Sequence, residues 1–541
     1  MVTIEQNVGA MLAFGWSGDT VEEQIGVGPH AQEIVRDVEV GAVVLLGRNV
    51  ADDLTRTVET LNELQAISRE PLLMIADQEG GMVARFVDGV TLFPSYMALG
   101  AAGDPRLAYE AAAATATEML AIGVNYNFAP CVDVNNNPDN PIIGTRSYAE
   151  SPDRAAEFAA HAVRGYQDAG LIACAKHFPG HGDTAVDSHL ALPSVPYPTD
   201  RLWEVELKPF AAAISAGVSS VMTTHILFPA LDPARPATLS PEVVTGLLRK
   251  QMGYDGVVVT DCMEMKAIAD VFGTPEAAVM AIEAGVDLIL VCHTRSVQHE
   301  TREAIIRAVR DGRISESRLD ESVRRLRSLK DAYRMAERRR ADPGALYGTL
   351  RCPEHLALQQ RIARESVTLV RNEAGVVPLR LTAGEMVLVA GLHSSVTPLA
   401  RAVRKHWDNV EALQLSGEPA DVLQRAASAA RGAGATIVPT CPHEPWKPPL
   451  DQELQARLVR ALAGEGANTV VVAVREPYDI RAFPEIDTYV CTYGYRGGSL
   501  EAAADVIFGA VEPKGRLPVT IPESAVPRTR QSDTEVTERY F

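Results

Sequence analysis

Short apolar runs rich in Val, Ile and Leu recur along residues 1–340, each followed by an Ala-, Glu- and Arg-rich stretch of helical period. Eight such runs stand out: Met11–Phe14, Val43–Leu46, Leu72–Ala76, Asn125–Ala129, Ile172–Lys176, Ser220–Thr223, Val257–Thr260 and Asp287–Val291. Strands that are apolar on both faces and alternate with helices are what a buried parallel sheet requires. The pattern predicts an α/β chain whose residues 1–340 form an N-terminal (β/α)8 (TIM) barrel. A basic stretch, RLRSLKDAYRMAERRR, reads as a helix between Asp320 and Arg340, ending at Asp342-Pro343-Gly344. Residues 341–365 read as a linker and connecting helix. Beyond them a second set of runs appears: Val367–Val370, Val387–Ala390, Ala435–Val438, Thr469–Val474 and Thr488–Thr492. These alternate with Ala-rich helices and predict a C-terminal α/β/α sandwich over residues 366–525, interrupted by a Pro-rich loop from Pro439 to Leu450 and followed by a polar tail, 526–541.

Composition narrows the class. A chain that is 46% hydrophobic and 22% charged is ordinary globular protein. With 51 Lys+Arg against 70 Asp+Glu the formal net charge is -19, which excludes a nucleic-acid coat. No window approaches 18 uncharged apolar residues, so no membrane span is expected. The opening MVTIEQNVGAMLAFG has no basic region and carries Glu5 early, so no secretory leader is expected. Seven cysteines, without a CxxC pair, predict reduced thiols and a cytoplasmic enzyme.

Chemistry concentrates where the apolar runs end. Arg48-Asn49, Asp77-Gln78-Glu79, Asp133, Lys176-His177, Thr224-His225, Asp261 and His293 all lie at or just past C-terminal strand ends. In a barrel those ends form one rim, so these residues converge on one pocket. The densest segment is KHFPGHGDTAVDSH, Lys176 to His189. His177 and His181 are four apart, as on a zinc helix, but Pro179-Gly180 prevents the helical turn, so no metal is expected. Asp187 and His189 are two apart. In an extended segment they project to one side, so the carboxylate can orient the imidazole and favour its protonated form, as a general acid requires. A structural Asp-His hydrogen bond would use the same spacing. Asp261 emerges from a buried strand, held rigidly as a nucleophile must be, or else caps the helix that follows. Asp77, with Gly80-Gly81 behind it, and Arg85 read as hydroxyl binders or as a structural ion pair.

These residues resemble the β-N-acetylglucosaminidase branch of glycoside hydrolase family 3. The resemblance is carried by IADQEGG (Ile75–Gly81), NFAPCVDVNNNPDNPIIGTRSY (Asn127–Tyr148), KHFPGHGDTAVDSH and GYDGVVVTDCMEMKAI (Gly253–Ile268). SVTLVRNEAGVVPL (Ser366–Leu379) and YGYRGGSLEAAADVIFGAVEPKGRLPVTIP (Tyr493–Pro522) extend it into the second domain. It implies that Asp261 is the nucleophile of a covalent glycosyl-enzyme and that His189, oriented by Asp187, is the acid and base. It also implies that Asp77, Arg85, Arg146, Lys176 and His177 bind the sugar. Arg475, Tyr478 and Asp479 are candidates to face the cleft from the second domain, or to stabilise it. The activity implied is that of a retaining exo-β-N-acetylglucosaminidase acting on muropeptides, in peptidoglycan recycling, or on chitin oligosaccharides. A phosphorylase using the same aspartate and histidine, and a non-catalytic sugar-binding homologue, are the alternatives. The partner is a small saccharide; no cofactor is implied, and a homodimer is left open.

Overall fold

The computed structural model describes residues 3–184, 192–442, 450–465 and 468–523. Its N-terminal part holds eight short parallel strands among the described residues: β1 Leu12–Gly15, β2 Ala42–Val44, β3 Leu73–Ala76, β4 Tyr126–Asn127, β5 Cys174–Phe178, β6 Ser220–Thr223, β7 Val257–Thr260 and β8 Ile289–Val291. Every residue of these strands is buried, which explains why each reads as a continuous apolar run. They form two parallel sheets, β8-β1-β2-β3-β4 and β5-β6-β7. Isolated parallel bridges join the sheets at both seams, Tyr126 with Ile172 and Val259 with Leu288.

The helices between them begin and end on local signals. Pro105–Ile122 starts with its Asp104 side chain accepting from the Arg106 N–H, and stops at Gly123, whose φ of 102° suits a residue without Cβ. Pro152–Asp168 is capped by Ser151 and buries Ala155, Phe158, Ala159, Val163 and Tyr166 toward the core. The strand at Asn125–Ala129 is shorter than its pattern predicts. The Asn125 side chain takes over ladder positions, accepting from the Met74 N–H at 2.8 Å and donating to the Leu72 carbonyl at 3.1 Å. The predicted long basic helix ends early: Glu316–Ala332 is helical, and Arg334, at φ 53°, turns the chain out of it.

The C-terminal part contains β9 Thr368–Asn372, β10 Met386–Gly391, β11 Val410–Gln414, β12 Ala433–Thr440, β13 Asn468–Ala473 and β14 Thr488–Cys491. They form one sheet in the order β9-β14-β13-β12-β10-β11, with β9 antiparallel to β14 and the other pairs parallel. Apolar side chains pack on both of its faces, in clusters around Leu388, Val438 and Tyr489 on one side and Val389, Ile437 and Val490 on the other. Edge strand β11 was not legible as an apolar run, because its outer residues Glu411 and Gln414 are exposed. No helix among the described residues is long and apolar enough to cross a membrane.

Candidate active site

Strand β3 leaves the sheet at Ala76 and runs straight into Asp77-Gln78-Glu79. Gln78–Gly80 pairs with Val83–Ala84 in a small hairpin. The return is tight. A Cβ on Gly81 would lie 2.8 Å from the Ser95 Cα, and its φ is 56°. In this extended stretch Asp77 and Glu79 project to one side and Gln78 to the other. The Gln78 amide oxygen accepts from the Arg85 and Phe86 N–H groups at 3.0 and 3.1 Å, which places Arg85 beside Asp77.

Lys176, on β5, fills the space between the two carboxylates. Its Nζ donates to Asp77 Oδ1 at 2.9 Å and lies 2.7 Å from Glu79 Oε1, and its side chain is 2% exposed. Arg85 donates to the other Asp77 oxygen at 2.9 Å. Arg146 grips Glu79 with two donors, Nε at 2.9 Å and Nη2 at 2.8 Å, and that Nη2 lies 3.2 Å from His177 Nε2. An arginine only donates, so His177 Nε2 accepts and its Nδ1 donates to Asp133 at 2.7 Å. Three carboxylates (Asp77, Glu79, Asp133) thus meet three cations (Lys176, Arg85, Arg146) around one imidazole.

Burial works against these charges and their neighbours outweigh it. Burial raises the Glu79 carboxyl, yet Arg146 and Lys176 bring it down to about 2. Burial also raises Asp77, and Lys176 with Arg85 hold it well below the carboxylate range. Burial lowers Lys176, while Asp77 and Glu79 keep its ammonium well above the usual lysine value. The cluster is a charged array fixed before any substrate arrives, with the Arg85 Nε–H buried and lacking an acceptor among the described residues. Asp133 is the keystone beneath it. Its oxygens accept from the His177 N–H, the His177 ring, the His181 N–H at 2.6 Å and the Cys131 thiol at 3.2 Å. Cys131, Asp133 and His177 are near enough to share a metal, but this saturation of Asp133 fits a hydrogen-bonded frame better.

Asp261 stands at the exit of β7. Its N–H donates to the Thr223 carbonyl on β6 at 3.2 Å, and its Oδ1 accepts from the Cys262 N–H at 2.7 Å. His225 Nε2 lies 3.0 Å from the Cys262 carbonyl, and the Met263 N–H donates to Leu290. The carboxylate therefore rides on backbone pinned from both neighbouring strands. It does not cap the next helix: Lys266–Phe272 begins at Met265 with no side-chain cap. Asp187 and His189 lie outside the described residues. The sequence placed Glu79 and Asp133 on the strand-end rim but assigned neither a role, though the i, i+2 spacing of Asp77 and Glu79 was available as a signal.

The second domain reaches the loop that carries Arg146. Asn135 donates to the Tyr478 hydroxyl at 2.9 Å, and Arg481 pairs with Asp139 at 2.9 Å. A Cβ on Gly144 would meet Glu476 at 2.3 Å. Arg475 pairs with Glu476 at 2.8 Å in a buried position, and burial pushes the Asp479 carboxyl up to about 7.

A rigid carboxylate at the end of β7 and a preorganised array of donors and acceptors at the ends of β3, β4 and β5 suit a polyhydroxylated ligand. Residues 5–329 match the Glycosyl hydrolase family 3 N terminal domain, and residues 367–540 match the family's C-terminal domain. The chain belongs to glycoside hydrolase family 3. Beta-hexosaminidase A of Pseudoalteromonas piscicida is 30% identical over 570 residues, 93% of each protein. A beta-N-acetylglucosaminidase/beta-glucosidase of Cellulomonas fimi is 31% identical, over 90% of this chain and 89% of that protein. The structure of a family 3 beta-N-acetylglucosaminidase from Paenibacillus sp. str. FPU-7 is 38% identical and superposes with a TM-score of 0.86, over 97% of this chain and 99% of that one. This family 3 chain is a glycoside hydrolase of the β-N-acetylglucosaminidase branch.

Proposed function

We propose that the chain is a retaining exo-β-N-acetylglucosaminidase that removes a terminal β-GlcNAc from muropeptides or chitin oligosaccharides inside the cell. The observation that carries this reading is the paired-charge cluster of Asp77, Glu79, Lys176, Arg146 and His177 with Asp261 at the end of β7, in a chain similar along its whole length to the Paenibacillus enzyme. The two bridged seams support a closed (β/α)8 barrel, whose C-terminal strand ends are where catalytic residues gather.

In this reading Asp77, Arg85, Arg146, Lys176 and His177 hold the hydroxyl and N-acetyl groups of the sugar. An Asp261 oxygen attacks the anomeric carbon as the bond to the leaving oxygen breaks. His189, oriented by Asp187, gives that oxygen its proton. The imidazole then takes a proton from water, which attacks the same carbon and releases Asp261. Two inversions leave the β-configuration intact.

The test is a β-GlcNAc glycoside assay with product analysis. Asp261→Ala should lower kcat on the order of 10^4-fold. His189→Ala should cost roughly 10^2-fold or more on an alkyl glycoside that needs its leaving oxygen protonated, and much less on a nitrophenyl glycoside that does not. Equal losses on both would remove the acid role. Release of GlcNAc-1-phosphate that rises with added phosphate would move the assignment to phosphorolysis.

A further inference from the structure

The mechanism above uses none of the thiols, yet two stand directly beside its nucleophile. Cys262 follows Asp261 at the exit of β7, and Cys292-His293 lies at the matching exit of β8. The two exits run side by side, tied by the Met263 N–H to the Leu290 carbonyl. Glu264 locks them further, accepting from the His293 N–H at 2.7 Å on one oxygen and from the Thr294 N–H at 2.9 Å on the other. Cys262 Sγ, a Glu264 oxygen and a His293 ring nitrogen all lie within 4.8 Å of one another. Cys292 is buried one residue before His293, outside this set of three.

We propose that Cys262, Glu264 and His293, with Cys292 beside them, form a binding site for a thiophilic divalent cation, zinc(II) foremost, whose occupation silences Asp261. Ligand atoms around tetrahedral zinc sit roughly 3.3–3.8 Å apart, given bonds of about 2.0–2.3 Å, so three groups within 4.8 Å of one another close by at most about 1.5 Å, through side-chain rotation. The donor set decides the metal. Sulfur and imidazole select zinc over magnesium or calcium, which prefer oxygen throughout. Arg48 donates to the Cys292 carbonyl at 2.9 Å, so a fixed positive charge borders the site and works against a weakly held hard cation. As the zinc–sulfur bond forms, the Cys262 thiol gives its proton to the buffer. Silencing follows from adjacency. The Cys262 N–H holds Asp261 Oδ1 at 2.7 Å, so drawing Cys262 onto a metal shifts the carboxylate, and a dication next to it weakens its attack. This half rests on the proposed hydrolase mechanism; binding itself does not.

The experiment titrates cobalt(II), then zinc, into the reduced full-length chain. A thiolate-to-cobalt charge-transfer band should grow to one equivalent in the parent and in Cys352→Ser, whose thiol lies outside the cluster. It should be lost in Cys262→Ser, and His293→Gln should weaken cobalt binding at least tenfold. Zinc should displace the cobalt and suppress hydrolysis of a chromogenic β-GlcNAc glycoside, reversibly by chelator, and Cys262→Ser should keep its own activity at the same zinc concentration. No band, or a band that survives both substitutions, overturns the site. Binding with unchanged hydrolysis overturns the silencing. A chain that binds cobalt as described but does not cleave the glycoside leaves the site standing and removes the hydrolase reading.

Discussion

Glu79 carries two cations on one carboxylate, with the side chain 2% exposed. Its folded carboxyl titrates at about 2, against roughly 4.3 in an unfolded chain. A depressed folded value means that the stabilisation is complete above the unfolded value and drains away as pH falls through the folded one. The window therefore runs from about pH 4.3 down to about 2, and Asp77, also depressed, adds to it. Glu79→Gln should cost about 3 kcal/mol at neutral pH, because Arg146 and Lys176 stay buried with one carboxylate fewer between them. It should also flatten the acid limb of stability against pH. Urea midpoints measured from pH 7 down to pH 3 check both, and an unchanged acid slope would show that the pair contributes nothing. Asp77, Lys176 and His177 were legible because each sits where an apolar run stops; Arg85 was read from its place after Gly80-Gly81, and Arg146 came only from the family resemblance. Their pairing was not, since Glu79 meets Lys176 and Arg146 only after strands far apart in sequence become neighbours.

Elements repeat the same charges at opposite ends of the strands with opposite meaning. Before β8, Asp287 is fully buried and faces Arg249 at 2.5 Å, Arg325 at 3.4 Å and Arg318 at 3.5 Å. One of its oxygens also accepts from the Val258 N–H at 3.0 Å, which is why the predicted strand Asp287–Val291 loses its first residues to a side-chain bond. This cluster lies at the N-terminal strand ends, away from Asp77 and Asp261, and holds β7, β8 and the helix Glu316–Ala332 together. We expect Asp287→Asn to cost about 3–5 kcal/mol, by leaving the arginines buried without their counter-charge, and to leave KM unchanged. Thermal unfolding beside steady-state kinetics separates the two. A rise in KM at full stability would contradict the assignment. Element type was readable wherever burial is two-sided. It failed for Val410–Gln414, whose edge position lets charged residues into the strand, and for the end of the basic helix, where a turn at Arg334 leaves no mark in the hydrophobic period.

At the scale of the molecule, the second domain contacts the loop that carries Arg146 beside the candidate site. Tyr478 and Glu476 press on the loop from Asn135 to Arg146, and Arg146 is the two-pronged partner of Glu79 and the neighbour of His177. The domain thus sets where one wall of the site stands. Tyr478→Phe keeps the ring and removes only the hydroxyl that accepts from Asn135. A buried neutral hydrogen bond contributes about 1 kcal/mol, so the loop should sample displaced positions about fivefold more often. Arg146 holds the sugar equally in the ground state and the transition state in the proposed mechanism, so the loss belongs in KM, which should rise by at most about fivefold with kcat held. A second variant guards the inference. Gly144→Ala places a methyl against the Glu476 carboxylate and moves the same loop from the other side, so it should raise KM in the same sense. If both variants lower kcat and spare KM, the second domain reaches the reacting atoms through another route, and the loop is only its foundation.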